Sequence, residues 1–66
     1  MGESMAEFFA KCDRLLRKVY DEEDATRWMI TGHPELDGRT PMYAAQMGQA
    51  AKVLRIIDGL VSGAYQ

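Results

Sequence analysis

The chain has 66 residues, eight of them Lys or Arg and ten Asp or Glu, for a formal net charge of −2, with 47% apolar and 27% charged residues. That is a globular profile rather than a disordered one, and the length admits one domain and excludes a cofactor-binding fold of about a hundred residues or more. One cysteine excludes an internal disulfide, one histidine without a Cys-x-x-Cys pair leaves a structural zinc site short of ligands, and the mild acidity is the wrong sign for a nucleic-acid partner.

Met5, Phe8, Phe9, Cys12, Leu15, Leu16 and Val19 recur at helical spacing and mark one apolar face. Ser4 and Glu7 have the Ser-x-x-Glu spacing of a capping box. Glu7 sits near the positive end of the helix dipole, and Arg14, Arg17 and Lys18 sit toward its negative end. These signals predict an amphipathic first helix over about residues 5–20. Asp21, Glu22, Glu23 and Asp24 suit the start of a second helix, predicted over about 22–31, with Ala25, Trp28 and Met29 as its apolar side and Gly32 as its stop. Because neither Pro nor Gly separates the two, one long helix bent near Asp21 is the alternative.

Residues 32–41 hold two prolines and two glycines, which predicts a loop with Asp37-Gly38 as a turn pair and Leu36 as a plug into the core. Thr40-Pro41 reads as an N-cap followed by proline at the first helical position. A short third helix follows and is ended or kinked by Gly48. The last helix is predicted over about 49–62, with Ala50, Val53, Leu54, Ile57, Leu60 and Val61 facing inward, Ile56 off that stripe and Gly63 as the stop. Gly59, inside this helix, implies a close neighbour that needs the space. The expected fold is all-α, a compact bundle of about four helices. No apolar run approaches the roughly 20 residues of a membrane span, and Glu3 and Glu7 without a following apolar core do not make a secretory leader. A lone thiol fits a reducing compartment, so a cytoplasmic protein is expected.

No catalytic constellation stands out. Cys12 lies on an apolar stripe, where a thiol packs as a small hydrophobe, and His33 precedes a proline in a loop. The acids at 21–24 lack metal-loop spacing, and the glycines form no phosphate-binding loop. Arg14, Arg17 and Lys18 read as a solvated face with helical ion pairs. Met5 and Met29 are expected in the core. No cofactor and no metal are expected. Domains this small commonly add a disulfide, a metal or a partner, which leaves a partner. A homodimer through Phe8, Phe9, Leu15 and Leu16 is one candidate.

One ordered string is informative. Trp28 is followed by Pro34-x-Leu36-x-Gly38-Arg39-Thr40-Pro41, then Gly48, then Val53-Leu54-x-x-Ile57, then Gly63-x-Tyr65. This string resembles the toxin-binding domain of the Xre/MbcA/ParS antitoxins of bacterial toxin–antitoxin pairs. Trp28, Pro34, Leu36, Gly38, Pro41 and Gly48 are expected to set the fold, with Trp28 anchoring the core. The resemblance implies a protein that binds and sterically neutralises a RES-domain toxin, an enzyme that degrades NAD, without catalysis of its own. It places Gly63, Ala64, Tyr65 and Gln66 at the toxin. Such antitoxins commonly carry a helix-turn-helix ahead of this domain. Only about 20 residues precede the string here, so the resemblance implies residues 1–20 as an N-terminal amphipathic helix and 21–66 as the toxin-binding part of one structural domain. The chain is then a stand-alone member or a fragment, and it offers nothing for DNA by itself. A small homo-oligomeric adaptor without a toxin is the alternative.

Overall fold

The computed structural model describes residues 4–63. At its start Ser4 is extended, its Oγ accepts the Glu7 amide at 3.1 Å, and its own amide donates to Glu7 Oε1 at 3.0 Å. The expected capping box is therefore complete. The hydrogen bond from the Ser4 backbone, and after it the one from the Ser4 side chain, holds the Glu7 carboxyl below its ordinary range. This cap opens α1, Met5–Leu16. α1 ends four residues before the predicted limit. Its last turns tighten into three-residue bonds, Lys18 N to Leu15 O and Val19 N to Leu16 O, and Asp21 then turns extended.

Asp21 explains the break. Its Oδ1 accepts the Asp24 amide at 2.8 Å, making it the N-cap of α2, Glu22–Met29. An aspartate that bonds the backbone two or three residues ahead competes with helix continuation, so the single bent helix does not form. Two of the remaining acids pair locally, with Arg27 reaching Glu23 at 3.3 Å and Asp24 at 3.2 Å. Exposed pairs of this kind contribute little.

The loop after α2 folds on itself. Pro34–Leu36 form a 3-10 turn, and Asp37 (φ 59) and Gly38 (φ 81) take the left-handed conformation expected of an Asp-Gly turn. Thr40 then caps α3, Pro41–Ala44, accepting the Tyr43 amide at 3.0 Å. A π-type segment, Ala45–Gln49, carries the chain into α4, Ala50–Gly63. Gly48, at φ 93, turns the chain there without a loop, a conformation that glycine adopts at little cost. α3 and α4 are thus two parts of one bent arm. The fold is all-α as expected, but it has three helical arms rather than four separate helices. No described helix is long and apolar enough to cross a membrane.

α1 packs mainly on α4, and α2 bridges α1 and α3. The core takes Phe8, Cys12 and Leu16 from α1, Ala25 and Met29 from α2, Leu36 from the loop, Ala44 and Ala45, and Val53, Ile57 and Val61 from α4. Cys12 and Leu36 are where the sequence puts them. Four apolar side chains are not. Met5, at the first turn of α1, is exposed, because the core does not extend that far. Leu60 lies on the inward stripe yet reaches solvent, whereas Ile56, off the stripe, packs partly against the core. Trp28 packs on the edge of the core instead of anchoring its centre.

Gly59 also departs from expectation. Among the described residues nothing outside its own helical backbone comes within 4 Å of where its Cβ would lie, so no described neighbour requires the glycine. Replacing it with alanine is expected to stabilise the domain by about 0.5–1 kcal/mol, the helix-propensity difference. An unchanged or lower urea midpoint would contradict this.

Candidate functional site

The side chains with reactive chemistry are used structurally. Cys12 is fully buried in the core with Phe8 and Leu16. His33 Nε2 lies 2.9 Å from the Trp28 carbonyl oxygen. A carbonyl only accepts, so Nε2 carries the proton and donates. Among the described residues no three His, Cys, Asp or Glu side chains gather closely enough to hold a metal ion.

His33 is one of two side chains that finish α2. Thr31 Oγ1 donates to the Arg27 carbonyl at 2.6 Å, and His33 donates to the next one. Both carbonyls also accept a backbone amide three residues on, from Ile30 at 3.2 Å and Thr31 at 3.4 Å, so the side chains add to a tightened last turn. Gly32, predicted as the helix stop, does something else. A Cβ there would collide with the Gly38 carbonyl oxygen and lie 3.1 Å from the Gly38 carbonyl carbon. The loop closes on this point: the His33 amide bonds the Arg39 carbonyl at 3.2 Å, and the Gly38 amide bonds the His33 carbonyl at 2.9 Å. The sequence contained no periodic signal for this contact, because it joins positions six apart in a loop.

Closing the loop sets the His33 ring against Trp28, with ring centroids 4.5 Å apart and planes at 32°. The two rings wall a surface pocket of about 230 Å³, completed by Tyr20, Asp24, Arg27 and Thr31. Trp28, Tyr20 and His33 are each only partly buried. A second groove lies between α1, α2 and α3, lined by Phe9, Thr26, Met29, Ile30 and Met42 among others. A third lies between α1 and α4, with Lys11, Leu15, Leu54 and Arg55 on its walls.

These grooves divide the four residues expected to form a self-association face. Phe8 and Leu16 are buried in the domain's own core. Phe9 lines the second groove and Leu15 the third. Helical spacing grouped the four, but α2 and α4 pack along α1 and split them, so they do not form one exposed surface. Among the other expected positions, Leu36 and Pro41 are buried, Gly38 makes the turn and Gly48 makes the bend. Pro34 begins the 3-10 turn. Gly63 is the last residue of α4 and is exposed, while Ala64, Tyr65 and Gln66 lie outside the described residues.

A small helical domain with its thiol and imidazole occupied in the fold, and with open grooves between its helices, has the anatomy of a protein-interaction module. The family described as the antitoxin Xre/MbcA/ParS C-terminal toxin-binding domain matches residues 15–63. The chain belongs to this family of toxin-binding antitoxin domains. The match starts at Leu15, so it takes in the end of α1 and every later element. No curated protein and no solved structure matches the chain.

Proposed function

We propose that this chain neutralises a RES-type, NAD-degrading toxin by occupying the toxin's active-site cleft with its C-terminal residues. The observation that carries the reading is the family match over residues 15–63, which is to a toxin-binding domain. The chain acts sterically and catalyses nothing. It works in the cytoplasm, where a bacterial toxin that degrades NAD meets its substrate.

The domain supports this reading mechanically. α4 is a continuous helix from Ala50 to Gly63 with Val53, Ile57 and Val61 buried along its length. A helix held in this way is a stiff mount for whatever follows it, and a preorganised mount lowers the entropy lost on binding. Gly63, Ala64, Tyr65 and Gln66 are the residues assigned to the cleft. Tyr65 carries both an aromatic face and a hydroxyl, a combination that suits a pocket made for a nucleotide.

The test is co-purification with a RES-domain protein encoded in the same genome, scored by size exclusion and by NAD consumption. A stable complex with NAD loss suppressed is expected. Tyr65→Ala is expected to weaken inhibition at least tenfold and to leave the unfolding midpoint unchanged. Full inhibition by that variant would remove Tyr65 from the interface. Homodimerisation belongs to the same proposal; of the four residues expected to carry it, only Phe9 and Leu15 are left partly outside the core, in separate grooves, so a second copy engages one groove or the other. Sedimentation at the monomer mass would remove it.

A further inference from the structure

We propose that the pocket walled by Tyr20, Trp28 and His33 is a second toxin contact, one that receives an apolar side chain projecting from the toxin. The inference rests on the toxin-binding reading above and adds a site that the C-terminal residues do not include.

Three observations carry it. The first is position. All six lining residues, Tyr20, Asp24, Arg27, Trp28, Thr31 and His33, fall within the matched segment 15–63. The two grooves along α1 use Phe9 and Asp13, or Lys11, which precede that segment. A further concavity, lined by Glu22, Glu23, Thr26, Arg27 and Ile30, also lies inside that segment, but its lining holds no aromatic residue, whereas Tyr20, Trp28 and His33 line this one.

The second is size and chemistry. A volume of about 230 Å³ is below the roughly 300–1,000 Å³ of small-molecule sites, and it suits one large side chain. Partly buried Tyr20, Trp28 and His33 line it together with the exposed Asp24–Arg27 pair, whose charged atoms lie 3.2 Å apart. An apolar centre inside a polar rim is how protein interfaces are organised, and Trp, Tyr and Arg are the residue types in which their energetic centres are enriched.

The third is preorganisation. Trp28 is large and apolar, yet it sits at the edge of the core. Its ring is held by the stack with His33, and His33 is held by its bond to the Trp28 carbonyl. Thr31 is fixed by its bond to the Arg27 carbonyl. A pocket in which part of the wall is already held by internal contacts loses less entropy when a partner enters.

Trp28 is the only tryptophan in the chain, so the site can be observed directly. The full chain labelled with 5-fluorotryptophan gives one ¹⁹F resonance, to be titrated with the unlabelled RES-domain protein. The resonance is expected to shift or broaden as the complex forms. Tyr20→Ala and Arg27→Ala, checked for unchanged helicity, are expected to weaken binding at least tenfold, and Arg55→Ala in the α1–α4 groove less than twofold. A complex that leaves the resonance unmoved, with Tyr20→Ala and Arg27→Ala binding within twofold of the parent, overturns the pocket and leaves the toxin reading standing. If the parent chain forms no complex, both readings fall together.

Discussion

Gly32→Ala is expected to cost about 3 kcal/mol or more, the upper range for forcing atoms into a packed site. The added methyl would meet the Gly38 carbonyl, and that group belongs to the backbone. A side chain can rotate away, but here relief requires the two ends of the 32–39 loop to separate. Separation would weaken the His33–Arg39 backbone bond and the turn that places Leu36. Single cores in domains of this size rarely supply more than about 3–5 kcal/mol in total, so the variant is expected to be largely unfolded at 37 °C. Circular dichroism through a thermal melt reads this directly. A midpoint within a few degrees of the parent would show that the loop can open at little cost. The comparison with Gly59→Ala is informative, because the same substitution has opposite signs at the two positions, and the close neighbour that the sequence implies at Gly59 stands at Gly32 instead.

Leu36→Ala carries the second large effect, about 2–5 kcal/mol, through the lost transfer energy of the side chain and the cavity left behind. Leu36 is 2% exposed and comes from a loop, and it fills the core alongside residues from the helices. Leu36→Met conserves most of the volume and should cost less than about 1.5 kcal/mol. Urea unfolding that gave equal midpoints for the two variants would show that Leu36 is not filling a closed site. Both Gly32 and Leu36 support the loop that sets His33 against Trp28. Partial loss at either position is therefore expected to impair toxin binding as well as stability.

Much of the local structure was legible in the residues. The Ser4–Glu7 box, Thr40-Pro41, the Asp37-Gly38 turn and the bend at Gly48 each depend on groups within about four positions along the chain, and such signals survive folding unchanged. Leu36 was legible for a related reason, as the one large apolar residue in a polar loop. The end of α1 was misread, because apolar periodicity continues through Val19 while the chain is already turning toward the cap at Asp21. Trp28 packs against the core and also walls a pocket, and size and hydrophobicity do not say how a residue divides between the two. That depended on His33, whose own position depends on the loop closing at Gly32.

The all-α class, the caps, the turn and the family are readable from the residues alone, because each is written in short-range spacing or in an ordered string of residue types. How the apolar face of α1 is shared out depends on packing between elements. α4 and α2 approach α1 from different sides, so Phe8 and Leu16 are buried while Phe9 and Leu15 are left in separate grooves. Tertiary packing likewise decided that Gly32 is a point of backbone contact and Gly59 is not. Periodicity gives the direction in which a side chain leaves its helix. Which atoms it meets is fixed by the packing of elements distant in the chain.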